Sequence, residues 1–341
     1  MNMNLDDKTI LITGGTGTFG KALVHKLLTE YTPKKIIIYS RDELKQHNML
    51  NELSESFSSN VVEKSIRFFI GDVRDQERLT MAASDVDLII HAAALKQVPA
   101  AEYNPMEAIK TNIHGAQNVI NASLNNDNLH VVALSTDKAA NPINLYGATK
   151  LASDKLFVSA NNLVGTKNIK FSVVRYGNVF GSRGSVMPFY MDLHKKGINK
   201  FPVTDKNMTR FWIKLEEALN FVLDKSMIMK GGEIFVPKIP SVNIVDVVKA
   251  VNPEAELEIV GIRPGEKLHE VMCPQDEYQK IIEFDTFFVI EPSIKFNKPQ
   301  TDFSEYEKFK GSRVAEGFEY NSKDNKNFLT ISEIKEYINM L

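Results

Sequence analysis

The stretch LSTDKAANPINLYGATK, Leu134–Lys150, holds residues whose types and spacing could do chemistry. Tyr146 and Lys150 stand four residues apart. On a helix that spacing puts both on one face, one turn from each other. A tyrosine serving as a base near neutral pH must be brought down from its ordinary pKa of about 10, which a nearby ammonium does electrostatically. The same lysine can reach a nicotinamide ribose and fix the cofactor against the tyrosine. A bare tyrosine-x-x-x-lysine pattern is common by chance; this one follows directly on an apolar run ending in STDK. There Thr136, Asp137 and Lys138 set a hydroxyl, an acid and an amine side by side. The plainer reading of the same three residues is a capped strand end with a solvated salt bridge.

Those residues need a scaffold. Apolar, β-branched runs recur at Thr9–Thr13, Lys35–Tyr39, Ile66–Ile70, Asp87–Ala93, His130–Ser135 and Phe171–Gly177. They lack polar alternation, which implies burial on both faces, as in a parallel sheet. Lys21–Glu30, Met106–Ser123 and Leu145–Asn161 carry helical periodicity between them. Alternating strand and helix implies βαβ crossovers and a Rossmann-like, doubly wound α/β sheet over residues 1–180, carrying the catalytic residues. From about Gly181 helices mix with isolated strands. Residues 181–341 read as a smaller α+β substrate-binding lobe, with some segments returning to the sheet. Trp212 is expected to pack, and the tail TISEIKEYINML offers Thr330 or Ser332 as the cap of a last helix.

The first strand runs into GGTGTFGKALVHKLL, with Gly14, Gly17 and Gly20 between strand and helix. Glycines let the backbone approach a pyrophosphate, and the helix N-terminus offers it unpaired N–H groups. Thr16, Thr18 and Phe19 complete that loop. The second strand ends in Ser40 and Arg41, where an NAD site ordinarily has an acid for the ribose 2′-hydroxyl. A guanidinium there clamps a 2′-phosphate, so NADP is favoured; Asp42 holding the ribose of NAD is the alternative. Asp72 and Val73 after the third strand are placed to hold an adenine edge. The small Ala92, Ala93 and Ala94 after the fourth let backbone lie near the cofactor.

Composition narrows the field. The 341 residues carry 41 Lys+Arg against 43 Asp+Glu, a net charge of -2, which gives no general pull toward nucleic acid or an anionic membrane. One cysteine, Cys273, excludes an internal disulfide, and it is expected as core filler. The seven histidines show no metal-ligand spacing, so no catalytic metal is expected, and His91 is expected to hydrogen-bond at a sheet end. The acidic N-terminus is unlike a signal peptide and no apolar run reaches the ~20 residues a span needs, so a cytoplasmic enzyme is expected.

Taken together, TGGTGTFG, YSRDELKQ, GDVRD, AALKQVP, EYNP, STDKAANPINLYGATKLASDKLF, RYGNV, GSRGSV, MTRFW and RPGEKLHE cover nearly the whole chain. They resemble the extended short-chain dehydrogenase/reductases acting on nucleotide sugars, and more closely the inverting UDP-N-acetylglucosamine 4,6-dehydratases that open pseudaminic acid synthesis for flagellin. The resemblance implies that Tyr146 takes the proton of the sugar 4-hydroxyl while hydride leaves C4 for NADP. Thr136 would hydrogen-bond the 4-oxygen, Lys138 would take the C5 proton, and Asp137 would protonate the departing 6-oxygen. Hydride then returns to C6, and the cofactor is recycled within the turnover. Relatives that retain C5 configuration carry two carboxylates where Asp137 and Lys138 stand, so the lysine implies epimerisation at C5. Elimination needs a neutral lysine beside a protonated aspartate; burial disfavours both charges and is expected to bring that tautomer within reach.

By the same resemblance Asn178 contacts pyrophosphate or sugar, while Arg210 and Arg263, with Glu266 beside them, serve the substrate; planar guanidinium forks suit phosphate oxygens. Lys96 is placed to line the sugar pocket. A homo-oligomer, dimer or hexamer, is implied by analogy. Two alternatives stay open. A nucleotide-sugar 4-epimerase shares Tyr146 and Lys150 but needs no acid–base pair at C5 and C6. A dinucleotide-sensing protein would keep the fold without turnover.

Overall fold

The computed structural model describes residues 4–182, 185–294 and 301–340. Arg183 and Gly184 of the GSRGSV motif lie outside them. Six parallel strands form where the apolar runs predict them: β1 (Thr9–Thr13), β2 (Lys35–Ser40), β3 (Ile66–Ile70), β4 (Leu88–His91), β5 (Asn128–Thr136) and β6 (Asn168–Tyr176). Their order, β3-β2-β1-β4-β5-β6, is the doubly wound arrangement, with its switch point between β1 and β4. β3 closes one edge, so Ile70 stays half exposed where β1 is buried throughout.

The sheet continues beyond β6 with strands from the second half of the chain. Ile234–Pro237 pairs parallel to β6, then Phe287–Ile290, Ile281–Glu283 and Ser312–Arg313 follow antiparallel, making ten strands. A second core forms around Tyr190, Phe201, Trp212, Val247, Ile334 and Tyr337. It holds a three-stranded sheet of Ser241–Asn243, Thr209–Ile213 and Asn178–Val179. The small lobe's first strand therefore starts directly after Gly177, before the expected division at 180. Trp212 packs on Phe180, ring centroids 4.9 Å apart. The last helix, Ile331–Ile338, is capped by Thr330 rather than Ser332, in a reciprocal box with Glu333.

The expected helix over Met106–Ser123 is interrupted. Pro105–Ile109 and Gly115–Ser123 are α-helical, but Lys110–His114 makes a π turn. The widened turn turns Asn112 inward. Its amide bonds both backbone groups of Leu95, at 2.8 and 2.9 Å, and the Thr149 hydroxyl at 3.0 Å. One side chain thus ties the loop after β4 to the helix Leu145–Ala160. No described helix is long and apolar enough to cross a membrane.

Candidate active site

The carboxyl ends of the strands open into a cavity of about 1510 Å³. At the end lined by the loop after β1, Gly14 has φ +68°, and a Cβ there would stand 2.9 Å from the backbone of Ala93. Gly14 thus brings the loop against the Ala92–Ala94 segment. The helix Thr18–Glu30 has no side-chain cap, so its first N–H groups are left to face the cavity, as an anion site requires. Thr16, Gly17, Thr18, Phe19 and Gly20 all line that wall. Beneath it, Thr13 meets the buried His91 ring at 2.8 Å, and burial pulls that imidazole down to about 3.

Ser40, Arg41, Asp72 and Val73 border the same end. Asp42 caps the following helix, accepting from Lys45 N at 3.0 Å, and pairs with the Lys45 ammonium. Its carboxylate is therefore committed locally. Arg41 is exposed, 3.6 Å from Asp72, which Arg74 already holds at 2.7 Å. These residues fit a dinucleotide: a glycine cradle, an uncapped helix start, and a cation beside the second strand.

Deeper in, β5 ends at Thr136 opposite Tyr176 of β6, and the chain turns through a short 3₁₀ turn, Asp137–Ala139. The helix Leu145–Ala160 starts at Asn144, whose side chain accepts from Gly147 N at 2.8 Å. A Cβ on Gly147 would stand 2.1 Å from the Lys138 carbonyl oxygen. Only glycine lets that turn lie against the helix, and this contact puts Lys138 beside Tyr146. One turn beyond Lys150, buried Asp154 bonds Ser135 at 2.8 Å and Arg175 at 3.1 Å. The helix is thereby pinned to β5 and β6.

Asp137 is wholly enclosed and does not reach the cavity wall, whereas Thr136, Lys138, Tyr146 and Lys150 do. Its Oδ1 accepts from Thr136 Oγ1 at 2.9 Å and from Lys138 Nζ at 3.0 Å, while Oδ2 has no hydrogen-bond partner among the described residues. Burial raises the Asp137 carboxyl above the usual range, and the Glu270 charge adds to that, against the pull of Lys138. Burial pushes Tyr146 up to about 12, with the Lys138 charge and a Thr136 hydrogen bond pulling the other way. Lys138 is thus a cation that opposes its rise. Lys150 is itself lowered by burial.

Lys138 departs from expectation. Burial pulls its ammonium down, but the charges of Asp137 and Glu270 outweigh that, and the net shift is upward. Lys138 holds its proton more firmly, not less. The reason is Glu270, which sequence reasoning missed: buried, lining the cavity, with Oε1 3.4 Å from Lys138 Nζ. Its one signal is its place as last residue of RPGEKLHE, a motif in which Arg263 and Glu266 are the more conspicuous charges.

The remaining substrate-side residues also reach the cavity. Asn178 Oδ1 lies 3.3 Å from Lys138 Nζ, so it orients the lysine. Arg210 bonds the carbonyls of Thr209 and Leu268 and the Glu266 carboxylate at 3.2 Å. Much of its guanidinium is thus already engaged within the protein. Arg263 is exposed at the rim, its guanidinium without a hydrogen bond or ion pair among the described residues, and suits an incoming anion better. Lys96 also lines the cavity, its ammonium lowered by desolvation.

The chain is similar to known proteins over nearly its whole length. A family model described as polysaccharide biosynthesis protein matches residues 10–292. An inverting UDP-N-acetylglucosamine 4,6-dehydratase of Campylobacter jejuni is 56% identical over 97% of both chains. A UDP-glucose 4-epimerase of Rickettsia felis is 38% identical, over 97% of this chain and 95% of its own. The X-ray structure of Pen from Bacillus thuringiensis is 35% identical, with a TM-score of 0.87 over 99% of each chain. DesIV, a dTDP-glucose 4,6-dehydratase from Streptomyces venezuelae solved with NAD bound, shares the fold at 19% identity, with a TM-score of 0.65 over 76% of this chain and 86% of its own. The chain belongs to the polysaccharide biosynthesis protein family, and inverting UDP-N-acetylglucosamine 4,6-dehydratases are among its close relatives.

Proposed function

We propose that the protein removes water from UDP-N-acetylglucosamine between C5 and C6 and inverts C5, giving the 4-keto-6-deoxy L-arabino sugar nucleotide that enters pseudaminic acid synthesis. The observation that carries this reading is the Asp137–Lys138 pair, 3.0 Å apart beside Tyr146, with the carboxyl buried and the ammonium reaching the cavity. An epimerase acting at C4 alone has no use for a second acid and base next to its tyrosine. The Rickettsia relatives named as 4-epimerases make that activity the competing reading.

A bound nicotinamide dinucleotide, NADP by the position of Arg41, would supply the hydride acceptor at C4 and the donor at C6. Gly14–Gly20 and Arg41 would hold it, and Lys150 would fix its ribose. Tyr146 accepts the 4-hydroxyl proton, and Thr136 positions the 4-oxygen. The ketone acidifies the C5 proton, which Lys138 removes. Asp137, which does not itself reach the cavity, gives its proton to the Thr136 hydroxyl it touches as that hydroxyl passes its own proton to the departing 6-oxygen, which leaves as water. Lys138 and Asn178 share one wall, so base and sugar-holding groups approach together. An oligomer, a cytoplasmic setting and a flagellin-directed product belong to the same reading.

Proton NMR of the enzyme with UDP-N-acetylglucosamine in D₂O tests it. A new C6 methyl signal, deuterium at C5 and L-arabino couplings are expected, and Tyr146→Phe should abolish them. Inversion at C4 without a methyl would make the enzyme an epimerase. A methyl with C5 retained would remove Lys138 from its role as the C5 base.

A further inference from the structure

Lys138 faces three acceptors: Asp137 Oδ1 at 3.0 Å, Asn178 Oδ1 at 3.3 Å and Glu270 Oε1 at 3.4 Å. One ammonium therefore stands between two buried carboxylates, and they are not equivalent. Glu270 has three cations around it, with Arg210 Nε and Lys267 Nζ each 3.9 Å away in addition to Lys138. Both carboxylates have an Oε2 or Oδ2 without a hydrogen bond, but that of Glu270 faces the Lys267 ammonium. Among the described residues Asp137 has one ion-pair partner, Lys138, against three for Glu270, and its site is fully enclosed. Two enclosed charges sharing the one ammonium are costly, and the carboxylate with fewer cations around it is the one better left as the protonated acid. The charge thus belongs on Glu270 and the proton on Asp137.

We propose that Glu270 is a positioning residue for the elimination: it is the counter-ion of Lys138, so that Asp137 can hold the proton it later gives, through Thr136, to the leaving oxygen. This rests on the dehydratase reading above. The directions of titration agree, since Asp137 is raised by burial while Glu270, despite burial, is lowered by Lys138, Arg210 and Lys267. Before C5 is attacked, an N–H bond of the Lys138 ammonium breaks and an O–H bond forms on Glu270, leaving a neutral amine beside a neutral acid. Asp137 keeps its own proton throughout that transfer. The groups facing the cluster are Thr136 and Tyr146 on one side, and Arg210, Glu266 and Lys267 on the other.

Two ionisation patterns then differ in proton count. With Glu270 the working site holds one more proton than an Asp137 carboxylate paired to Lys138 alone. Elimination should therefore fall as pH rises through the Asp137 titration. In Glu270→Gln, Asp137 becomes the counter-ion of Lys138, and the working tautomer has the same proton count as the resting ion pair. That variant should lose the alkaline limb and form the methyl at least ten times more slowly, while Glu270→Asp keeps the limb. A side chain that only supports the fold would lower the rate and leave the limb in place, which would overturn the proposal.

Infrared difference spectroscopy without substrate gives a second reading that survives a wrong choice of reaction. A protonated carboxyl band that disappears in Asp137→Asn is expected in the unsubstituted enzyme at neutral pH, and it should vanish in Glu270→Gln but persist in Glu270→Asp. No such band in the unsubstituted enzyme, or a band undiminished in Glu270→Gln, would overturn the assignment. Failure of methyl formation with this band intact would count against the dehydratase reading alone.

Discussion

Gly147→Ala tests how far the chemistry depends on one backbone contact. The added Cβ would lie 2.1 Å from the Lys138 carbonyl oxygen, and 3.0 Å from its carbonyl carbon. A carbon and a carbonyl oxygen approach to about 3.3 Å in favourable cases, so turn and helix must separate by about 1.2 Å. The atom met is backbone, so no side-chain rotation relieves the clash. Overpacking of this kind costs roughly 1–3 kcal/mol, and alanine returns about 1 kcal/mol of helix propensity. The fold should survive. Lys138 moves with its carbonyl while Tyr146 moves with the helix, so the two lose alignment on the sugar. A misplacement of about 1 Å costs on the order of 10²-fold in rate. Calorimetry should show a melting temperature only a few degrees lower, alongside a methyl-forming rate about a hundredfold down. Methyl formation within a factor of about three of the parent would refute the claim that this contact aligns Lys138 with Tyr146.

Two further outcomes follow from other parts of the molecule. Arg41→Ala should weaken NADP binding by about 10–100-fold, the value of one hydrogen-bonded charge on a phosphate, and leave NAD binding nearly unchanged; equal losses for both, read by titration calorimetry, would show that Arg41 does not touch a 2′-phosphate. Glu233 is wholly buried, and burial raises its carboxyl to about 7 from an ordinary 4.5. The fold therefore favours the protonated form: this stability is fully present below pH 4.5 and is lost as pH rises through about 7, worth on the order of 3 kcal/mol. Glu233→Gln should raise the melting temperature at about pH 8 and change it little at about pH 4; an equal change at both would refute the titration.

Local pattern alone specified the glycine loop, the six parallel strands and the one-turn spacing of Tyr146 and Lys150. Each depends on neighbours a few residues away, where apolar runs, glycines and helical period are written directly. Thr136–Asp137–Lys138 was legible as a unit for the same reason. Its electrostatics were not. Whether Lys138 gives up its proton depends on which charges fold against it, and Glu270 arrives from the far lobe through a segment that packs across the mouth of the sheet. The same holds for Asn112, whose reach to Leu95 needs a π turn that no periodicity announces, and for Arg175, which meets Asp154 only when β6 and the helix are in place. Gly147 reads in sequence as an ordinary helix residue, and its purpose appears only where the Lys138 carbonyl presses on it. Sequence determines residue types and short-range spacing; a proton's resting place is a long-range Coulomb balance, and tertiary structure alone brings those charges within reach of one another.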